Sequence, residues 1–348
     1  MPQNDLEPVE DIVRGIAVGI NGAAAVANLG LIAAILRTPR LLSINEVALN
    51  MSLSISDFCF PTLIFVVVID GWGNRAIFLD NHTICQLEGM AMQDFAIASM
   101  LTLLLISANN FLLIVLERPH PSRTQIAAYL VGLWILTFAW GLLPFATPGG
   151  GFAKQPSTFH CALDAGSDFP ATVVVRLLNM CALGLTPLFI GGFYALILRK
   201  LWLSSRNLRQ ARRSSTRKMV GAEHKPDAMV DMATDTETNN TNTNATRPST
   251  GTQNNTLKLQ IAIVRRAVAL VLVFMGFWGW YLIVIISEVV NGNKPASPLV
   301  ESTGVLAFSF NALCNLIVLV LMDHRYRDAI LKIVGRAPAA VGPRPSVK

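Results

Sequence analysis

The stretch that decides the fold is CQLEGMAMQDFAIASMLTLLLISANNFLLIVLERP, which runs from Cys85 to Pro119. At about 1.5 Å per residue, a helix of this length is longer than the hydrocarbon core of a bilayer, which is about 30 Å thick. Polar residues interrupt its apolar part at Asp94, Ser99, Thr102, Ser107, Asn109 and Asn110. Because polar groups are costly in lipid, we expect these side chains to face the interior of a helix bundle, with the other helices packed around this one.

The composition is that of a membrane protein with several spans. Of the 348 residues, 52% are hydrophobic and 14% are charged, and the mean hydropathy is +0.48. Soluble domains carry about 25% charged residues. The net charge of +6 does not indicate nucleic-acid binding, because the basic clusters flank the apolar segments and follow the positive-inside bias.

Seven apolar segments have at least the ~20 residues that a helix needs to cross a bilayer. They are Ile12–Leu36, Val47–Ile69, Gly89–Leu116, Ile126–Ala146, Ala171–Leu198, Ala267–Ile286 and Ser302–Met322. We therefore predict an all-α membrane protein, a seven-transmembrane-helix bundle with a short amphipathic eighth helix. Helices one to five fall within 12–200, helices six and seven within 257–322, and the eighth helix within 323–335.

The charged residues of the connections predict the orientation. Lys and Arg are concentrated after segments one, three, five and seven, whereas the other side is richer in acids. We therefore expect a plasma-membrane protein with an extracellular N terminus, 1–11, and a cytoplasmic tail, 336–348.

Two cytoplasmic segments are expected to lie outside the membrane. Residues 201–256 begin with a basic run that is able to extend the fifth helix. They continue into a low-complexity part, where fifteen of the 24 residues from 233 to 256 are Thr or Asn. We predict a disordered loop there. In the eighth helix, Tyr326, Ile330 and Ile333 recur at helical spacing opposite basic residues, which predicts a helix on the inner membrane surface.

Two of the five cysteines lie on the predicted extracellular side. There we expect Cys85 and Cys161 to form a disulfide between the third helix and the loop after the fourth; the alternative is two free thiols. The sequon Asn81-His82-Thr83 lies on the same side, close to the membrane, so Asn81 is a candidate glycosylation site. The sequence has no CxxC pair and no Cys/His cluster that would indicate a transition-metal site.

Motifs in chain order resemble those of the rhodopsin-like (class A) G-protein-coupled receptors, with one or more in each of six segments. They are Asn28 in the first segment, Asp57 in LNMSLSISDF, Trp134 with Pro144, Pro187, the run Phe274 to Trp280, and Asn311 with Asn315. DHRYRDAIL, after the seventh segment, is similar to the start of the family's eighth helix. The resemblance covers nearly the whole chain except the two tails and the long inner loop.

This sequence departs from the family pattern at the residues of the activation switch. Asn109-Asn110-Phe111 stands where the family has Asp-Arg-Tyr, and Gln260 stands where an acid often pairs with that arginine. Trp280 replaces the kink proline of helix six, and 315–319, NLIVL, replaces Asn-Pro-x-x-Tyr. Tyr194 falls one place short of the family's tyrosine in helix five.

The resemblance implies a buried polar site in the middle of the bundle. Its candidate residues are Asp57, Ser99, Asn311 and Asn315, with Trp278 above them. One interpretation is a Na⁺ ion held by the Asp57 carboxylate together with hydroxyl and amide oxygens. The other is a protonated Asp57, hydrogen-bonded to Ser99 and Asn315, with no ion. Both predict that the cluster lies in the bundle interior.

The resemblance also places a ligand pocket in the outer half of the bundle. Ser309 occupies the position of the lysine that binds retinal, so a retinal Schiff base is excluded, and Met92 occupies that of the amine-binding aspartate. The candidate pocket residues are Met92, Phe95, Arg176, Trp278, Tyr281 and Phe308. This mostly apolar set predicts a small or lipid-like ligand. For Asp94, a structural ion pair with Arg176 and a ligand contact both remain open.

The predicted function is that of a receptor that couples such a ligand to a heterotrimeric G protein, with membrane lipids as its surroundings. The candidate G-protein contacts are Asn110, Arg206, Arg209, Arg265 and Arg266. Two alternatives remain: a receptor fold that does not couple to G protein, and a seven-span transporter. The transporter lacks support because the sequence shows no inverted repeat. An enzyme lacks support because no His, Asp and Ser set and no metal-ligand set lies among the spans.

Overall fold

A computed structural model describes residues 7–72, 80–146, 150–154, 160–163, 170–222, 250–290 and 298–335. The helices in these ranges are α1 (Glu7–Leu36), α2 (Pro39–Leu42), α3 (Asn45–Trp72), α4 (His82–Ile114), α5 (Arg123–Leu142), α6 (Pro170–Ala222), α7 (Thr250–Val290), α8 (Pro298–Met322) and α9 (His324–Ile333). One antiparallel hairpin joins β1 (Phe152–Lys154) to β2 (Cys161–Leu163), and a 3₁₀ turn, Leu143–Ala146, follows α5.

Six helices contain a segment that is long and apolar enough to cross a bilayer. These segments are Asp11–Leu36, Asn45–Gly71, His82–Ile114, Arg123–Ala146, Val174–Asn207 and Ser302–Met322. In α7 the described residues contain a shorter apolar stretch, Val268–Val284. Together these seven stretches form the predicted seven-helix bundle, which is confirmed.

The helix α4 lies at the centre of the bundle. It contacts α3, α5, α6 and both strands, while the outer ring closes through contacts of α6 with α7, α7 with α8, and α8 with α1. In the most apolar window of α4, 61% of the residues are buried, against 22% in α5. The helix whose polar residues predicted a central position is therefore the one that the others surround.

Hydrogen bonds between polar side chains and neighbouring helices fix how the helices pack. The Asn28 amide of α1 donates to the carbonyl of Ala312 on α8 at 3.3 Å. The Trp134 indole of α5 donates to Ser52 Oγ on α3 at 3.2 Å, and Ser52 Oγ lies 3.4 Å from the Thr102 hydroxyl of α4. Since the hydrocarbon core offers no water as a partner, such bonds favour one helix register over its neighbours.

The β1–β2 hairpin is held against the start of α4. The predicted disulfide between Cys85 and Cys161 is present. Gln86 Oε1 accepts a hydrogen bond from the Phe152 amide at 2.7 Å, and Glu88 Oε2 accepts one from the Cys161 amide at 2.8 Å. We call this end of the bundle the hairpin end, and the opposite end, which carries α2 and α9, the basic end.

The helices extend further than the apolar segments predicted. Residues 201–222 continue α6, and α7 begins at Thr250, so 250–256 are helical rather than part of a disordered loop. Helix propagation adds one hydrogen bond for each residue that it fixes, so a nucleated membrane helix readily continues into a polar flank. Residues 223–249, which contain most of the low-complexity segment, and the predicted tail 336–348 lie outside the described residues. At the N terminus the described chain begins with α1 at Glu7.

The eighth helix forms where the sequence predicts it, but its aromatic residue faces inward. Asp323 caps α9 by accepting a hydrogen bond from the Arg325 amide at 3.0 Å. Tyr326 has 0% exposure, and α9 contacts α1 and α8. Tyr326 therefore packs inside the protein rather than on a membrane surface, whereas Ile333 is 39% exposed. The tyrosine is the larger side chain, and a polar partner inside the bundle fixes its direction, as described below.

The close approach of the hairpin to α4 gives a first test. A Cβ at Gly89 would lie 2.7 Å from three atoms of Phe152, including its Cβ. Gly89→Ala should therefore displace the hairpin and destabilise the protein by about 1–3 kcal/mol, the usual cost of overpacking. The measurement is the melting temperature of the solubilised protein. Gly132→Ala is the matched control, because nothing lies within 4 Å of that position. Equal melting temperatures for the two variants would contradict the packing described.

Candidate functional site

A cavity of about 120 Å³ lies at the hairpin end, between the helices and under the hairpin. Four residues of the predicted ligand pocket line it: Met92 of α4, Trp278 and Tyr281 of α7, and Phe308 of α8. Phe152 and the residues 160–163 of the hairpin close it from above. The disulfide and the hydrogen bonds to Gln86 and Glu88 therefore position the roof of this cavity.

Aromatic rings form one wall of the cavity. The Phe308 ring packs edge-on against Trp278, with centroids 4.2 Å apart, and against Tyr281 at 4.4 Å. It also contacts the Phe60 ring at 5.5 Å. Because aromatic contacts of this geometry are favourable in apolar surroundings, the wall is held in place before any ligand arrives.

Besides the indole of Trp278 and the hydroxyl of Tyr281, the polar groups of the cavity come from three residues that the sequence did not single out. Asn179 of α6 donates to Gln93 Oε1 at 3.1 Å and accepts from the Trp140 indole at 3.0 Å. Gln93 Nε2 is buried and has no hydrogen-bond partner. His160 is the third polar residue; burial lowers its pKa to about 4, so the imidazole is neutral at pH 7. Its position directly before the disulfide residue Cys161 was the feature of the sequence from which a place beside the cavity could have been predicted.

Two predicted pocket residues do not line the cavity. Phe95 faces α5, where its ring packs edge-on against Trp134 at 6.1 Å. Arg176 is half-buried on α6 outside the lining set. Asp94 does not form the ion pair with Arg176 that we left open. A Cβ at Gly141 would lie only 2.0 Å from Asp94 Oδ1, so this carboxylate lies against α5. The helical phase of α4 turns the side chains of Asp94 and Phe95 away from the cavity.

In the middle of the bundle, Asp57 is 3% exposed and hydrogen-bonds two of the residues of the predicted polar site. Ser99 Oγ of α4 donates to Asp57 Oδ1 at 2.8 Å. The Asn315 amide of α8 donates to Asp57 Oδ2 at 3.0 Å. One carboxylate thus joins α3, α4 and α8.

Three polar atoms of this set have no hydrogen-bond partner. They are the side-chain oxygens of Asn311 and Asn315 and the indole nitrogen of Trp278, all buried. Carboxylate and amide oxygens are ligands of the type that a hard cation prefers. A water molecule bridging the same atoms would also satisfy them.

At the basic end, Asn110 of α4 is 3% exposed. Its amide donates to the Tyr194 hydroxyl of α6 at 3.3 Å. Asn110, a candidate G-protein contact, is therefore buried in this structure. Tyr194 reaches Asn110 although it falls one place short of the family's position. A neutral hydrogen bond thus stands where the family pattern has charged groups.

Of the other candidate G-protein contacts, two have described side chains and lie at the basic end, and two have side chains outside the described residues. Arg206 is exposed, with its guanidinium 4.6 Å from the Trp202 ring centroid, and Arg265 is exposed on α7. The side chains of Arg209 and Arg266 lie outside the described residues.

Asn81, the candidate glycosylation site, is exposed at the hairpin end, where its side-chain oxygen caps α4 by accepting a hydrogen bond from the Ile84 amide at 3.2 Å.

A second tyrosine links the eighth helix to the bundle. The Asn50 amide of α3 donates to the Tyr326 hydroxyl at 2.7 Å, and both residues are buried. In the sequence, the tyrosine of Asn-Pro-x-x-Tyr is replaced by Leu319, which is also buried. Tyr326 therefore supplies a buried hydroxyl at this end of the bundle, from α9 rather than from α8.

Comparison with known proteins agrees with this architecture. Residues 27–318 match the family model described as 7 transmembrane receptor (rhodopsin family). Squid rhodopsin is a similar solved structure, with a TM-score of 0.69 and 15% sequence identity over 93% of this chain and 84% of the rhodopsin chain. At that identity the likeness concerns the fold alone. No curated protein sequence matches the chain.

Proposed function

The chain belongs to the rhodopsin family of seven-transmembrane receptors, and we propose that it transmits the binding of an extracellular ligand to a heterotrimeric G protein. One observation carries this proposal. The central helix α4 contributes Met92 and Gln93 to the cavity at the hairpin end and Asn110 to a buried hydrogen bond at the basic end. A rigid helix that takes part in both sites is able to couple them.

The cavity favours an uncharged and mostly apolar ligand. Among the side chains that the structure describes, no acidic side chain and no Lys or Arg lines it. Its polar groups are uncharged and include those of Gln93, Asn179 and a neutral His160. The unpartnered Gln93 Nε2 is a donor, so a hydrogen-bond acceptor on the ligand would satisfy it. A small or lipid-like molecule with one carbonyl or ether oxygen has this chemistry.

Coupling at the basic end would depend on the hydrogen bond between the uncharged side chains of Asn110 and Tyr194. A ligand shifts a receptor between two states by its differential affinity for them. In the proposed active state, α7 moves outward, Asn110 exchanges its bond to Tyr194 for a contact with the G protein, and Arg206, Arg209, Arg265 and Arg266 line the opening. The many basic residues at this end support a cytoplasmic orientation in the plasma membrane.

A receptor fold without G-protein coupling is the second candidate. The observation that favours it is the asparagine at position 110, which has no charge to offer a G protein. Its bond to Tyr194 would then stabilise the bundle without any exchange of partners.

G-protein activation in cells distinguishes the two candidates. Energy transfer between labelled G-protein subunits would be measured for the wild type, Asn110→Ala and Asn110→Arg at matched surface expression. The proposed function predicts basal activation by the wild type that Asn110→Ala reduces several-fold. Gly132→Ala, with no neighbour within 4 Å, is the control and should behave as the wild type. A silent wild type that Asn110→Arg activates would instead favour the non-coupling candidate.

We also propose that the polar site binds Na⁺ through Asp57, Ser99, Asn311 and Asn315, below Trp278. The support is the pair of unpartnered amide oxygens beside a carboxylate. The ion would supply positive charge that compensates the buried Asp57. A protonated Asp57 without an ion is the alternative.

Sodium binding predicts a salt-specific stabilisation. At a Na⁺ concentration ten times its Kd, the free energy of unfolding should rise by about 1.4 kcal/mol. The melting temperature in NaCl should therefore exceed that in choline chloride of equal ionic strength, and Asp57→Asn should abolish the difference. Ser54→Ala is the control, because its hydroxyl bonds only the Asn50 carbonyl within α3. No difference between the two salts in the wild type would support the protonated form.

A further inference from the structure

A second cavity, of about 440 Å³, opens on the outer surface of the bundle at the basic end. It lies between α3, α4 and α5 and is bounded by the connection from α4 to α5. Its apolar walls include Leu105 and Leu112 of α4 and Ile126 of α5. Its polar groups include Asn109, Arg118 and His120. We call it the lower groove.

The lower groove faces the surroundings of the bundle rather than its interior. Leu112 is 45% exposed and Tyr129 is 53% exposed, and both lie on its walls. They belong to helices that are long and apolar enough to cross a bilayer. Hydrocarbon chains of the membrane therefore have direct access to the groove.

Asn109 gives the groove a polar group with no partner inside the protein. It is 7% exposed and lines the groove, and its amide forms no hydrogen bond with any part of the chain that the structure describes. The amide is open to the groove, so it can donate a hydrogen bond to an acceptor oxygen of an occupant.

The rim of the groove is basic. Arg118 and His120 are exposed there, and no acidic side chain lines the groove within the described ranges. The neighbouring Glu117 is turned away, because its carboxylate pairs with Lys200 of α6 at 2.8 Å. This ion pair lowers the pKa of Glu117 and keeps it charged and engaged. The rim thus presents donors and positive charge to an anion.

We propose that the lower groove is a binding site for one anionic phospholipid of the membrane leaflet at the basic end. Arg118 and His120 bind the phosphate, Asn109 donates to an ester carbonyl, and one acyl chain lies along Leu105 and Leu112. The site is separate from the ligand cavity and does not depend on G-protein coupling. Its charge complementarity and its opening to lipid both select this occupant over a soluble anion.

Native mass spectrometry of the purified full-length protein tests the proposal. Delipidated protein is titrated with phosphatidylserine and with phosphatidylcholine of the same acyl chains. The apparent affinity for phosphatidylserine should fall about tenfold in Arg118→Gln/His120→Gln, which loses charge-assisted hydrogen bonds. Asn109→Asp should lower it as well, because the new carboxylate repels the phosphate. Phosphatidylcholine should bind more weakly than phosphatidylserine to the wild type.

Two further variants distinguish a specific lipid site from general electrostatic attraction of anionic lipid to a basic surface. Leu112→Trp fills the groove from its lipid-facing side, so it should weaken phosphatidylserine binding without disturbing the fold. Arg40→Gln, on α2 at the same end, removes an exposed basic residue that does not line the groove and should change nothing. Melting temperatures confirm that each variant is folded.

Three results would overturn the proposal. One is unchanged phosphatidylserine affinity in both Arg118→Gln/His120→Gln and Leu112→Trp. Another is an equal loss in Arg40→Gln, which would indicate general attraction to a basic surface. The third is competition by inorganic phosphate together with normal binding to Leu112→Trp, which would indicate a site for a soluble anion only.

Discussion

The Asp57 carboxylate is the constraint on which the rest of the bundle depends. It is buried in the middle of a membrane protein, where no bulk solvent can hydrate it, so its partners must come from the protein or from a bound ion. Ser99 and Asn315 supply them, which fixes α4 and α8 against α3. Other hydrogen bonds between polar side chains also join neighbouring helices, such as the bond from the Trp134 indole of α5 to Ser52 Oγ of α3. These bonds favour one packing register for the apolar residues between them.

This arrangement makes α4 the element that connects the two ends of the molecule. Near the hairpin it carries the disulfide and part of the cavity, and near the basic end it carries Asn110. The bonds of Asn110 to Tyr194 and of Asn50 to Tyr326 are both neutral. Neutral bonds are weaker than charge-assisted ones. A switch built from them would therefore need less ligand energy to change state, which is the reason that basal activity is predicted.

The sequence predicted the bundle and the disulfide, because each follows from a strong physical requirement. Apolar segments long enough to cross a bilayer predict helices, and two cysteines on the extracellular side predict a bridge. The members of the Asp57 cluster came from the resemblance to rhodopsin-like receptors, and the cost of polar groups in lipid added that they face inward. The sequence did not predict that Asp94 lies against Gly141 or that Phe95 faces Trp134. A helix that is apolar nearly all round gives little indication of its phase. His160 was missed because it lies in a loop, where no periodicity applies.

We propose that Asn110 and Tyr194 form the switch of a working receptor. A double-mutant cycle tests their coupling, with basal G-protein activation recorded for Asn110→Ala, Tyr194→Phe and the double variant at equal surface expression. Tyr194→Phe should raise activation, because it removes a bond of the closed state, whereas Asn110→Ala should lower it, because the proposed G-protein contact is lost as well. The double variant should resemble Asn110→Ala, because in that background Tyr194→Phe has no bond to Asn110 left to remove. Additive effects of the two changes, or activation that neither change alters, would contradict the proposal.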